Sequence, residues 1–251
     1  MSHDRRLTEL HHPCRNRYFA GKTLAVADLE MEQDYVRGAD AQLARLVLGA
    51  GVVCGLDVTA REAGDRPGIH ISPGLALDPW GRRIVVPRGV KVALPAQSPP
   101  PASMVVRLRY AAQEAGFAPS PLGDEDGSEA GTWVEGHRVE IRAGTAPPAT
   151  GDCSEATLEL IRTGDVAQAL ALLARAACAE PAGDPGVTLA TITAAADGAL
   201  TIDAHAARAV VPTNVALLQL IACLAARVEE CCGTSPARGN DVPQNLTPHI
   251  R

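Results

Sequence analysis

Apolar positions in the first part of the chain recur at helical spacing and then switch to alternation. Leu29, Tyr35, Val36, Leu43, Leu46 and Val47 fall at spacings of three, four and seven, which puts an apolar stripe along one face of a helix. Asp28 is placed to cap that helix, because its carboxylate can accept from the free amides of the first turn. Glu30 and Glu32 follow where the helix dipole favours anions. Gly49 and Gly51 end the helix, and Val52-Val53-Cys54-Gly55-Leu56-Asp57-Val58 switches to strand chemistry. Short strands are predicted at Ile69–Ile71, Leu75–Leu77, Arg83–Val86 and Val90–Leu94. Pro73-Gly74 and Asp78-Pro79-Trp80-Gly81 form the turns among them. Met104–Ala111 and Thr132–Ala143 read as the two strands of a long hairpin.

Further on, Ser154–Arg162 and Val166–Ala179 read as two helical pieces, with Ser154 as a cap and Gly164 between them. Apolar positions nearly encircle the second piece, which predicts burial or a protein contact. Val187–Ala194 and Leu200–Asp203 alternate on either side of an Asp197-Gly198 turn. The last helix opens at Pro212-Thr213-Asn214 and runs to about Cys232. Leu217, Ile221, Leu224 and Val228 make its seam, broadened by Val215 and Leu218. The predicted fold class is therefore α+β. An antiparallel β core (a meander or small barrel, or a sandwich) is flanked by an N-terminal and a C-terminal helix, which pack on one another or on one sheet face. Along the chain this gives a flexible arm at 1–16, an N-terminal helix and β domain at 17–112, and an acidic loop at 113–131. The remaining strands and helices lie at 132–233, and a flexible tail at 234–251.

One block of positions carries a resemblance. It comprises Tyr18-Phe19-x-Gly21-x-x-Leu24, Asp28-Leu29, Glu32-Gln33-x-Tyr35 and Gly49-x-Gly51-Val52-Val53-Cys54-Gly55-Leu56. Pro73-Gly74-x-Ala76-x-Asp78-x-x-Gly81-Arg82-x-Ile84 continues it, with echoes at Leu189-Ala190-x-Ile192 and Val211-x-Thr213-Asn214-x-x-Leu217. This pattern resembles a family of accessory, baseplate-associated proteins of contractile phage tails and phage-tail-like injection particles. The resemblance implies a structural role in assembly, at the baseplate or another end of the tube. It implies protein partners among the baseplate, tube or sheath subunits, in one or several copies per particle. It brings no catalytic residues and no cofactor. Arg17, Tyr18, Phe19, Leu24 and Tyr35 are the candidate docking residues, with the Tyr18-Phe19 pair as anchor, because aromatic side chains dominate interface energetics.

Composition narrows the classes. A net charge of −6 and only 3% aromatic residues argue against a general nucleic-acid binder, which needs a basic face and stacking rings. The polar N-terminus has no apolar leader segment and Val215–Ala226 is too short to cross a bilayer, so a cytoplasmic protein without membrane insertion is expected. His11, His12 and Cys14 could ligate metal, but no second ligand pair follows at finger-like spacing, so a polar tail is the simpler reading. Asp124-Glu125-Asp126 resembles the start of a calcium loop without its alternating ligands or closing Glu. Cys54 is expected to pack against the first helix, and Cys231 and Cys232 face different directions. A local surface ion pair accounts for Asp78, Arg82 and Arg83. No phosphate-binding glycine loop, nucleophile elbow or zinc-protease motif is present, so a non-enzymatic protein is expected. The alternative is a β-rich module that binds a surface glycan or cell-wall polymer through Trp80 and Trp133.

Overall fold

The apolar stripe of the first helix forms a helix, α1, at Val26–Leu43, continued by one π-helical turn at Ala44–Leu48. The computed structural model in which it lies describes residues 12–64, 66–96, 101–119, 128–146, 154–177, 186–195, 200–205 and 207–232. The acidic Asp124-Glu125-Asp126 stretch, the Asp197-Gly198 turn, His11 and the tail at 234–251 lie outside these residues. Asp28 does not cap α1 in the expected sense. It is the third helical residue, and its Oδ2 accepts from the N–H of Ala25, the capping position, at 2.9 Å. The carboxylate thus reaches backwards, as the acidic partner of a capping box does.

Three antiparallel sheets follow. Strands β1 (Gly51–Gly55), β4 (Gly74–Leu77) and β5 (Arg83–Val86) make one, and β2 (Val58–Ala63), β3 (Arg66–Ile71) and β6 (Val90–Ala93) make the second. The third has the order β10 (Leu200–Asp203), β9 (Val187–Ala194), β7 (Ser103–Pro119), β8 (Ser128–Ala143). One apolar core serves all three: Leu56 and Val58, Ile69 and Ile71, Ile84 and Val86, Met104, Val106 and Leu108, Leu189 and Ile192 are buried together. The α+β class with an antiparallel β core holds, realised as three small sheets around a shared interior. Helices α2 (Glu155–Arg162) and α3 (Val166–Ala177) lie in the same unit. Ser154 Oγ accepts from Thr157 N at 3.1 Å as the cap of α2. On α3 only Ala169 is buried among the described side chains; Val166, Leu170 and Leu173 are exposed. The chain divides into two units, Met1–Val211 and Pro212–Arg251, and the second contains α4 (Asn214–Cys232).

Two boundaries differ from the sequence pattern. The run from Val52 to Val58 is not one strand but two, broken where Gly55 and Leu56 both take left-handed angles (φ 59° and 60°). A side chain on Gly55 would meet the Pro73 carbonyl oxygen at 2.0 Å. The kink is held from far along the chain: Arg208 donates to the carbonyls of Gly55 and Leu56, the latter at 3.1 Å. The bend turns Leu56 fully into the core, which offsets the strain of a left-handed leucine. The second difference is the hairpin. Its strands run on to Pro119 and begin again at Ser128, so much of the expected acidic loop is paired strand. Gly116, Gly131 and the alanines there have poor strand propensity, and the partner strand decides instead.

The β4–β5 turn meets α1 at Gly81, whose φ is 82° and whose added Cβ would lie 2.0 Å from the Ala41 carbonyl oxygen. Replacing Gly81 by Ala should lower the unfolding free energy by about 3 kcal/mol, from backbone strain plus the clash. Chemical denaturation of the two proteins checks this.

Candidate functional site

Asp78 closes the β4–β5 turn and is fully buried. Its Oδ1 accepts from the backbone N–H groups of Trp80 and Arg82, each at 2.9 Å, and its Oδ2 accepts from Arg82 Nε at 2.8 Å. The Arg82 guanidinium lies over two rings, 4.5 Å from the Trp80 centroid and 4.6 Å from that of Tyr110. The expected weak surface pair is therefore corrected to a buried one. Breaking such a pair costs about 3–5 kcal/mol, because the remaining charge stays buried. Burial pushes the Asp78 carboxyl above its ordinary range, while Arg82 and the two amides pull it back. Arg83 does reach the surface, where it pairs with Asp40 of α1 at 3.2 Å.

Tyr110 extends this cluster to the hairpin by donating to Glu135 Oε1 at 3.0 Å. The cleft where α1, the turn and the hairpin meet is lined by Arg37, Asp40, Gly81, Arg82, Tyr110 and Glu135 and has room for about 50 Å³. Sites for small organic ligands run to roughly 300–1,000 Å³. The cleft is a joint between elements: Asp40 pairs with Arg83, Arg82 with Asp78, and Glu135 accepts from Tyr110.

The joint sets which side of α1 looks outward. Ala41 and Ala44 face the body and are buried. Leu29, Val36 and Leu43, spaced by seven, stand on the opposite side and are exposed, Val36 at 58%. The apolar stripe is real, but it does not pack on a sheet. Glu32 lies on that outer side too, between Leu29 and Val36 at helical spacing. Its Oε2 accepts from Asn16 N at 3.2 Å. Lys22 donates to Asn16 Oδ1 and pairs with Asp28 Oδ1 at 2.9 Å. Between these ties the chain makes a turn, Lys22 N donating to Phe19 O at 3.1 Å, with Gly21 at φ 86°.

Asn16, Lys22, Asp28 and Glu32 therefore bind the arm to the start of α1, and the arm is tied at its sixteenth residue. Arg17, Tyr18, Phe19 and Leu24 are all exposed, Phe19 at 64%. The structure brings these four to the start of α1. Tyr35 stands apart and half-buried, nine residues past that start, about 14 Å along the axis. The polar ties escaped the sequence reading. The signal was there, since Lys22 stands six residues before Asp28 and ten before Glu32.

Other candidate residues do not converge. Cys54 is exposed, which corrects its expected packing against α1. His12 and Cys14 are exposed as well. Among the described residues no three His, Cys, Asp or Glu side chains gather as a metal site. Trp80 is half-buried against Arg82, whereas Trp133 is exposed on β8. No described helix is long and apolar enough to cross a membrane.

No protein-family model matches the chain, and no curated protein matches it. Among solved structures it is similar to the baseplate complex from the type VI secretion system, at 13% identity and a TM-score of 0.44, over 93% of this chain and 72% of that one. It is also similar to the TssK-TssF-TssG baseplate subcomplex of that system, at 12% identity and a TM-score of 0.41, over 76% of this chain and 60% of that one. For the crystal structure of TssK the figures are 11% and 0.38, over 91% and 51%. Likenesses at this level leave the functional reading to rest on the chain's own residues.

Tyr110 supplies a test of the joint. Burial, then the hydrogen bond to Glu135 and that residue's negative charge, push its phenol from 10.0 up to about 12. In a spectrophotometric titration one of the three tyrosines should ionise near that value, and Glu135→Gln should bring the step down. The unfolded chain would ionise first. The stability from the neutral phenol is thus whole below 10.0 and is lost as pH rises towards about 12, which thermal melting across that window would show.

Proposed function

We propose that this chain is a structural assembly component of a contractile, phage-tail-like injection particle. It is assembled in the cytoplasm and docks at the baseplate or another end of the tube. Its partners are protein subunits of the particle, and its role is structural rather than catalytic. The observation that carries the reading is the tied arm: two exposed aromatic side chains on a turn that is fastened beside an exposed apolar row on α1. A tied loop loses little conformational freedom on binding, so its aromatics are suited to act as anchors. The motif block at residues 17–56, which resembles the accessory proteins of such particles, supports the same reading. It holds the arm, the outer row and the glycines that shape the kink in one run of sequence. The polymer-binding alternative calls on Trp80 and Trp133 together, and Trp80 is occupied by Arg82.

Replacing Tyr18 and Phe19 together by Ala should lower the amount of this chain in purified particles about tenfold or more, because anchor residues carry most of an interface's energy. Its melting temperature should stay as before, since both side chains are exposed. Undiminished incorporation of the double variant refutes the anchor role.

A further inference from the structure

The β7–β8 hairpin outgrows the body. Strand β7 pairs with β9 only as far as Leu108, opposite Val187. From Arg109 to Pro119 it has β8 alone, a ribbon about 35 Å long. The base is fastened, with Tyr110 on Arg82 and Glu135, and His137 Nδ1 3.2 Å from the Val85 carbonyl. Beyond it every described residue in 113–119 and 128–135 is exposed except Ala115 and Ala130. Two-stranded ribbons of this kind are marginal by themselves in water. This one nevertheless exposes Phe117 at 61%, Trp133 at 66% and Val134. Glu114 stands directly across the ladder from Trp133.

The charge here is one-sided. From Tyr110 to Glu135 the sequence holds six acids, three of them on the described ribbon (Glu114, Glu129 and Glu135), and no Lys, Arg or His. Removing those six from the chain's 29 Asp and Glu leaves 23, which match its 23 Lys and Arg. The ribbon and its connection therefore account for the whole net charge of −6. Charged residues alone would be ordinary protection for an open sheet edge. Large exposed rings among them are not, because they promote the sticking that such protection prevents.

We infer that the ribbon is a second docking arm, and that its partner is a different protein presenting a Lys- and Arg-rich face with an apolar recess for Trp133, whose side of the ribbon also carries Glu114, Glu129 and Glu135. Acidic side chains steer and select the basic face, and the Trp133 ring supplies the buried contact. A second copy of this chain is disfavoured, since two such ribbons repel and the rest of the chain has no net positive charge to offer. Nucleic acids and anionic membranes are repelled in the same way. The inference stands whether or not the partner belongs to an injection particle.

The test places the photoreactive residue p-benzoylphenylalanine at position 133 of the full chain, in the cells that make it, and sequences the crosslinked peptides. The expected result is an adduct with one other protein, at a peptide of net positive charge. Glu114→Lys with Glu129→Lys, both on the Trp133 side of the ribbon, should cut its yield about tenfold or more. If melting shows that the charge-reversed chain is misfolded, Glu114→Gln with Glu129→Gln serves instead. An adduct chiefly with a second copy, an adduct at a neutral or acidic peptide, a yield indifferent to the charge changes, or no adduct at all overturns the inference. Loss of the Tyr18 and Phe19 anchor leaves this crosslink as a separate readout, so the two docking arms stand or fall independently.

Discussion

A carboxylate that water cannot reach has to be satisfied by protein, and the Asp78 side chain is satisfied entirely by its own turn. Two amides and the Arg82 guanidinium use both of its oxygens. That requirement fixes the path of the backbone through residues 78–82 and brings Gly81 against the Ala41 carbonyl. It also lays Arg82 across Trp80 and Tyr110. Helix α1 thereby rests on the turn through its small residues, and its large apolar residues are left on the far side. The direction of the outer row is thus set by a polar interaction, not by a search for apolar contact.

This explains where the sequence was legible and where it was not. Periodicity reports that Leu29, Val36 and Leu43 share a face, but not whether that face meets the core or a partner. Ala41 and Ala44, too small to stand out in the pattern, are the ones that pack. Strands with strong alternation, such as Val187–Ala194 and Arg83–Val86, lie where the pattern puts them. The kink at Leu56 was hidden because its cause is Arg208, more than a hundred residues away. The outer hairpin was hidden for a related reason. Its glycines and alanines prefer no strand locally, and only the register with the opposite strand makes one. Among the candidate docking residues, exposure of Tyr18 and Phe19 followed from their place in a polar arm. The ties that hold them depend on how the chain turns back between Asn16 and Glu32, which residue spacing alone does not give.

The two exposed regions differ in kind. The arm and outer row of α1 are apolar, compact and fastened close to the body. The ribbon is long, acidic and fastened only at its base. A surface of the first kind binds through buried area and loses little to salt, whereas the second depends on ionic strength and acts first on the rate of encounter. A protein that carries both can be captured at a distance and then seated.

Arg208 has a consequence for how this protein comes into being. The kink it holds lies in the first quarter of the chain, and its neighbour Ala209 accepts from Val52 N at 2.8 Å. During synthesis the donors that hold this corner are made 152 residues after Leu56, so the corner can take its final form only once the segment near 208 has emerged. Closure over such a separation is slow. The corner of the first strands is therefore among the last parts of this unit to be secured.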